Sequence, residues 1–143
     1  MADKLKVEIL AVDRKVYDGE AQVVVARMPD GEVSILPDHI EAVMPLEIER
    51  LVLQGTERGE LHVAVHGGTL YTDGERVLVL AETAELPDEI DVERAKEARE
   101  RAKRRLEAAR RGEKGIDWAR AEAALRRALV RLSVAGYEEK KHG

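Results

Sequence analysis

From Leu5 to Val12 apolar and polar residues alternate at first. Leu5, Val7, Ile9 and Ala11 fall on one side, with Lys6 and Glu8 on the other. A period of two over this length predicts a half-buried strand. Val23–Ala26, Val33–Leu36, Leu46–Leu53, Leu61–Val65 and Val77–Ala81 are short, rich in branched aliphatics and bounded by turn residues, and predict further strands. Asp-Gly-Glu recurs at 18–20, 30–32 and 73–75. A glycine after aspartate supplies the positive φ of a tight turn, so each is read as a hairpin connection. Gly67-Gly68 follows a strand without opening a helix, which suits a bulge or the close approach of another backbone rather than a phosphate loop. Many short strands with frequent turns predict a sandwich or barrel.

Pro87-Asp88-Glu89 ends this pattern. From Asp91 to Arg110 the period becomes helical, with Asp91 as N-cap and Gly112 beyond the end. A second helix is predicted from Asp117, again an N-cap, to Ala135. A short turn between them makes an antiparallel pair. Their apolar stripes are thin. One carries Ala95, Ala98, Ala102, Leu106 and Ala109; the other carries Trp118, Ala121, Ala124, Leu125, Ala128, Leu129 and Leu132. Alanine in place of leucine forfeits roughly 1–2 kcal/mol of burial per site. Such a hairpin leans on the strand domain, a partner or a ligand.

Composition sharpens the division. The 143 residues carry a net charge of −5, no cysteine, no phenylalanine and only 3% aromatics. Residues 1–88 hold eight Lys and Arg against eighteen Asp and Glu, net −10; residues 89–143 hold sixteen against eleven, net +5. All four prolines lie in the first part and eleven alanines in the second. Two domains are expected: 1–88, acidic and β, and 89–143, basic and helical. The missing cysteine excludes disulfides, a thiol nucleophile and thiolate zinc sites. His39, His62, His66 and His142 show no metal-ligand spacing, and Ser34 and Ser133 lack a nucleophile elbow. No run approaches the ~20 apolar residues of a membrane span. The reading is a non-enzymatic protein, soluble or peripheral to a membrane through partners.

Arg127 and Arg131 are four residues apart, on one helix face. In an antiparallel hairpin they lie beside the start of the first helix, near Asp91 and Arg94. Guanidiniums converging on a helix N-terminus suit a polyphosphate. A solvated basic face with local Glu–Arg pairs suits the same residues, and the two readings stand side by side here. So do two classes of function: a regulatory subunit, and a free-standing adaptor whose basic arm meets an acidic protein.

The motifs bear on that choice. Ser34-Ile35-Leu36-Pro37-x-His39-Ile40, Met44-Pro45-Leu46-Glu47-Ile48, Gly67-Gly68, Leu80-Ala81-Glu82-Thr83-Ala84-Glu85, Ile90-Asp91-x-x-Arg94-Ala95 and Arg131-Leu132-Ser133-Val134 occur in order along almost the whole chain. Together they resemble the ε subunit of bacterial F-type ATP synthase. The resemblance implies a sandwich of about ten strands followed by a two-helix hairpin. It implies a non-catalytic subunit on γ at the foot of the central stalk. That subunit touches the c-ring and is peripheral on the cytoplasmic face of the cell membrane. It couples proton-driven rotation to ATP synthesis. Its hairpin is permissive when folded on the sandwich and blocks hydrolysis when extended into the α/β hexamer.

In relatives of that kind that bind ATP, the nucleotide holds the folded hairpin. Carried over residue by residue, Glu82, Ile90, Asp91 and Ala95 surround adenine and ribose, and Arg94, Arg127 and Arg131 face the phosphates. ATP enters as a regulatory ligand, not a catalytic cofactor. Pro37, Asp38, His39 and Ile40 form the loop expected to face γ or the c-ring. Asp38 stands where the family commonly has glycine.

Overall fold

The computed structural model describes residues 4–28 and 31–136. Among them, eight strands precede a 3-10 turn and two helices. The strands are β1 (Leu5–Leu10), β2 (Lys15–Ala21), β3 (Val23–Met28), β4 (Gly31–Ile35), β5 (Ala42–Thr56), β6 (Gly59–Thr72), β7 (Arg76–Ala81) and β8 (Ala84–Glu85). The turn Pro87–Glu89 leads into α1 (Val92–Arg110) and α2 (Trp118–Val134). The strand order is β2-β1-β7-β6-β5-β3-β4, with β8 paired to β6.

The frame is the long antiparallel hairpin of β5 and β6, fifteen and fourteen residues. Near its tip β3 pairs with residues 52–54 of β5 and brings β4 with it. Near its open end β7 pairs with residues 68–72 of β6, and β1 joins β7 in parallel. One hairpin therefore serves two layers. The strand count is lower than expected because β5 and β6 run unbroken through both. The enclosed core is aliphatic, including Leu5, Ile9, Ile35, Leu53, Leu70 and Val79, all fully buried.

The bend in β6 falls at Gly67-Gly68, with φ of 84° and 147°. A Cβ on Gly68 would strike the Leu80 carbonyl oxygen and lie 2.8 Å from Ala81 Cα. The close backbone approach expected there is present, and β7 is the strand that approaches. The turn at 73–75 also forms: Asp73 Oδ1 accepts from the backbone N–H groups of Glu75 and Arg76, both at 2.9 Å. Asp18-Gly19-Glu20 is different. It lies inside β2, with the Tyr17 side chain over Gly19. The β1–β2 turn is instead at Ala11–Arg14, where the Ala11 N–H donates to the Arg14 carbonyl at 2.8 Å. Of the 30–32 turn, Asp30 lies outside the described residues, as does His142.

Both helices begin at their expected caps. Asp91 Oδ1 accepts from the Arg94 N–H, and Asp117 Oδ1 from the Arg120 N–H, each at 3.1 Å. Ala95, Ala102 and Leu106 of α1 and Ala121, Ala128 and Leu132 of α2 are buried. Ala98, Ala109, Ala124 and Leu125 are half-buried, and two stripe residues are exposed. Trp118 is 41% exposed, with the Arg110 guanidinium 5.9 Å from its ring centre, and Leu129 is 45% exposed. Trp118 opens α2, where the partner helix has already ended, so no seam is left to cover it. α2 lies on β5 and β6, and α1 packs chiefly on α2.

Gly68→Ala should cost roughly 2–4 kcal/mol, because the added carbon meets backbone rather than a movable side chain. Denaturant unfolding of the full chain measures it, and an unchanged midpoint would contradict the assigned bend.

Candidate functional site

The junction between sandwich and hairpin gathers most of the charged side chains that reach across the molecule. Glu89 opens it. Its two carboxylate oxygens take Arg14 Nη1 and Nη2, each at 2.8 Å, and its Oε1 also accepts the Leu86 N–H at 2.9 Å. The Arg14 bonds hold its carboxyl below the usual range, outweighing its partial burial. This bidentate pair fixes the chain just before α1.

Glu85, on the two-residue strand β8, is the central group. Its Oε1 accepts from Arg131 Nε of α2 at 2.7 Å and lies 3.0 Å from His66 Nε2 of β6. Burial pushes the Glu85 carboxyl up, but the bonds from His66 and Arg131 outweigh it and the net shift is downward. An ionised carboxylate only accepts, so His66 is the donor.

A second clamp lies further along α2. Arg126 reaches Glu47 Oε1 at 3.2 Å, the Ile48 carbonyl at 3.2 Å and Glu49 Oε2 at 3.1 Å, all on β5. Arg50 Nη1 donates to Ser133 Oγ at 2.8 Å. The apolar contact beneath is small: Ala64, Ile90 and Val134, with Val130 and Ala135 against them.

Between these contacts and the start of α1 lies a cavity of about 330 Å³, lined by Glu85, Glu89, Asp91, Arg94, Ala95, Ala98, Arg101 and Arg131. That volume is within the range of small-molecule sites. Its three carboxylates are already engaged, by Arg14, by the α1 backbone, and by His66 and Arg131. Its three guanidiniums and the N-terminal end of α1 favour an anion.

Residues 4–87 match the family model for the ATP synthase, Delta/Epsilon chain, beta-sandwich domain. Residues 88–136 match that for its long alpha-helix domain. The chain belongs to the ATP synthase delta/epsilon chain family. It is 46% identical over 132 residues to the ATP synthase epsilon chain of Moorella thermoacetica, covering 92% of this chain and 96% of the relative. With that of Halalkalibacterium halodurans it is again 46% identical, covering 92% and 97%. A chain of the Euglena gracilis mitochondrial ATP synthase, OSCP/F1/c-ring, shares the fold. Its TM-score is 0.78 at 19% identity, covering 96% of this chain and 84% of that one.

For this delta/epsilon family member the structure sorts the expected nucleotide residues. Asp91, Arg94, Ala95 and Arg131 meet at the cavity. Glu82, Ile90 and Arg127 do not line it. Glu82 is exposed over Gly67, its N–H donating to the Gly67 carbonyl at 3.0 Å. Ile90 is buried against Ala64 and Val134. The carboxylate facing the cavity is Glu85, because its neighbour Ala84 turns into the core as β8 pairs with β6. Residues missed in the sequence are Glu85, Arg101, Arg126 and His66. Only the seven-residue spacing of Arg101 from Arg94, two turns on one helix face, could have signalled any of them.

The expected partner loop is built firmly. The Asp38 N–H donates to the Gly74 carbonyl at 2.8 Å, and the His39 N–H to the Leu36 carbonyl at 3.1 Å. Asp38 adopts φ of 71°, which explains why glycine suits that position. Pro37 is half-buried, while Ile40 is 78% and Val43 70% exposed. Among the described residues no helix is long and apolar enough to cross a membrane, and no acidic or histidine cluster is placed to hold a metal.

Two outcomes follow from this geometry. Arg126→Ala should weaken docking of α2 by about 1 kcal/mol, since its ion pairs are partly exposed. Faster amide exchange in residues 118–134 reads it, and unchanged exchange contradicts the clamp. The Glu85 bonds contribute above the ordinary carboxylate pKa and are lost as pH falls through the depressed folded value. Protection of α2 should therefore drop on acidification, and Glu85→Gln should flatten that profile.

Proposed function

We propose that this delta/epsilon chain is the ε subunit of a bacterial F-type ATP synthase, a non-catalytic part of the central stalk that couples proton-driven rotation to ATP synthesis. In this reading the sandwich, residues 1–88, is the anchor. Its loop from Pro37 to Ile40, with exposed Ile40 and Val43 beside it, meets γ and the c-ring on the cytoplasmic face of the membrane. Residues 89–143 are the movable arm, which enters the α/β hexamer when released and restrains ATP hydrolysis. Membership of the family, with both domains matched, replaces the free-standing adaptor.

The observation that carries the regulatory part is the cavity at the junction, where Asp91, Arg94, Ala95 and Arg131 converge on the start of α1. ATP bound there bridges the two domains. Its phosphates face Arg94, Arg101 and Arg131, and Asp91 and Ala95 border the nucleoside end. Bridging favours the folded arm by mass action: ligand at ~100 times its dissociation constant adds about 2.7 kcal/mol. That exceeds what one or two partly exposed ion pairs contribute, so nucleotide level decides the arm's position. When ATP falls, the arm is released and its positive charge steers it toward acidic surface.

Calorimetry of the intact chain tests the site. ATP should bind at millimolar concentration or below, and Arg94→Ala with Arg131→Ala should weaken binding by about a hundredfold. Equal affinity of the double variant contradicts the site. In the assembled complex, deleting residues 89–143 should leave assembly intact and raise ATP hydrolysis. Unchanged hydrolysis would remove the inhibitory arm from the account.

A further inference from the structure

His66 is a buried polar side chain with no part in the function above. It lies in β6 opposite Ile48, 4% exposed, and its backbone N–H donates to the Thr83 carbonyl at 3.0 Å. It does not line the cavity. Its Nε2 meets Glu85 Oε1 at 3.0 Å, on the same oxygen that takes Arg131 Nε at 2.7 Å. With Glu85 ionised, His66 donates from Nε2, and its buried Nδ1 has no hydrogen-bond partner among the described residues.

A glutamate on a two-residue edge strand has three side-chain torsions to fix and little packing to fix them. The imidazole fixes one of its oxygens from below. That oxygen then sets the direction from which Arg131 is held. Arg131 is both a tie between α2 and the sandwich and a wall of the cavity. A chain of two hydrogen bonds thus runs from the sandwich interior to the anion site.

We infer that His66 is a positioning residue: by fixing Glu85 it orients Arg131, and so sets both the docking of α2 and the capture of polyphosphate at the junction. The capture half rests on the proposed ATP site; the docking half does not. The role belongs to an N–H placed at the Nε2 position, so glutamine, whose amide nitrogen reaches the same distance, should replace histidine. Phenylalanine keeps the ring and loses the donor.

The test uses the full chain with His66→Phe, His66→Gln, Glu85→Ala and the His66→Phe/Glu85→Ala double variant. ATP is titrated calorimetrically, and amide exchange is followed separately in the sandwich strands and in α2. His66→Phe should weaken ATP binding and speed α2 exchange by about tenfold each, the scale of one hydrogen bond to a charged group, with β5 and β7 unchanged. His66→Gln should stay within about twofold of the parent. The double variant should be no worse than Glu85→Ala alone, since the two act through one bond. Parent-like behaviour of His66→Phe, or losses that add in the double variant, would overturn the inference. If His66→Phe loosens the sandwich itself, His66→Gln decides: parent-like values support the role, and a loss equal to that of Glu85→Ala overturns it. Absence of ATP binding in the parent chain removes the nucleotide site alone, and α2 exchange still judges His66.

Discussion

One carboxylate is the meeting point of the molecule's two halves. Glu85 belongs to the sandwich through β8, takes a buried donor from β6 and a guanidinium from α2, and faces the cavity at the start of α1. Its importance follows from how little apolar surface joins the halves, which leaves the work to it and to the Arg14 and Arg126 pairs. The apolar contact under the hairpin comes down to Ala64, Ile90 and Val134 with two partly buried neighbours, whereas the sandwich encloses some twenty aliphatic side chains. Apolar burial scales with area, so it makes the sandwich permanent and leaves the hairpin's position to a few directional bonds. Bonds of that kind are individually small, and a ligand or partner can outbid them.

The two regimes suit two tasks. The sandwich is built on a hairpin that passes through both layers and bends at Gly67-Gly68, with β7 too close to Gly68 for any side chain. That frame braces the exposed loop around Asp38 and His39 against Gly74. The helices, by contrast, meet through alanines, and their surface is charged. Regions with few buried apolar contacts open at low free energy, which is what the proposed regulatory role asks of the hairpin. The opposite charges of the two segments, −10 and +5, favour the hairpin resting on the sandwich.

Much of this was legible in the residues. Asp91 and Asp117 announce the helices because an N-cap is a local device, and the charge break at residue 88 announces the change of module. What escaped was decided by direction in space. Glu82 and Glu85 are three residues apart in one acidic stretch, and only the pairing of Ala84 with Val65 settles which of them meets the cavity. Arg126 and Arg127 are adjacent, yet a helix turns about 100° per residue, and it is Arg126 that grips β5. Asp18-Gly19 resembles a turn in isolation but is pulled into β2 by pairing with Val7 and Glu8. The family's motifs pointed to the junction, and tertiary packing set which of its side chains line the cavity.

The central claim is that the hairpin rests on the sandwich through a polar latch that nucleotide reinforces. The absence of cysteine lets a single pair of labels report on it. Spin labels at Arg104→Cys on α1 and Arg76→Cys on β7, both exposed positions, give the separation of arm and sandwich by pulsed EPR in the assembled complex. With ATP present, the account predicts one short-distance population; with ATP removed, a second, longer one. A distance distribution that is the same with and without ATP would contradict it.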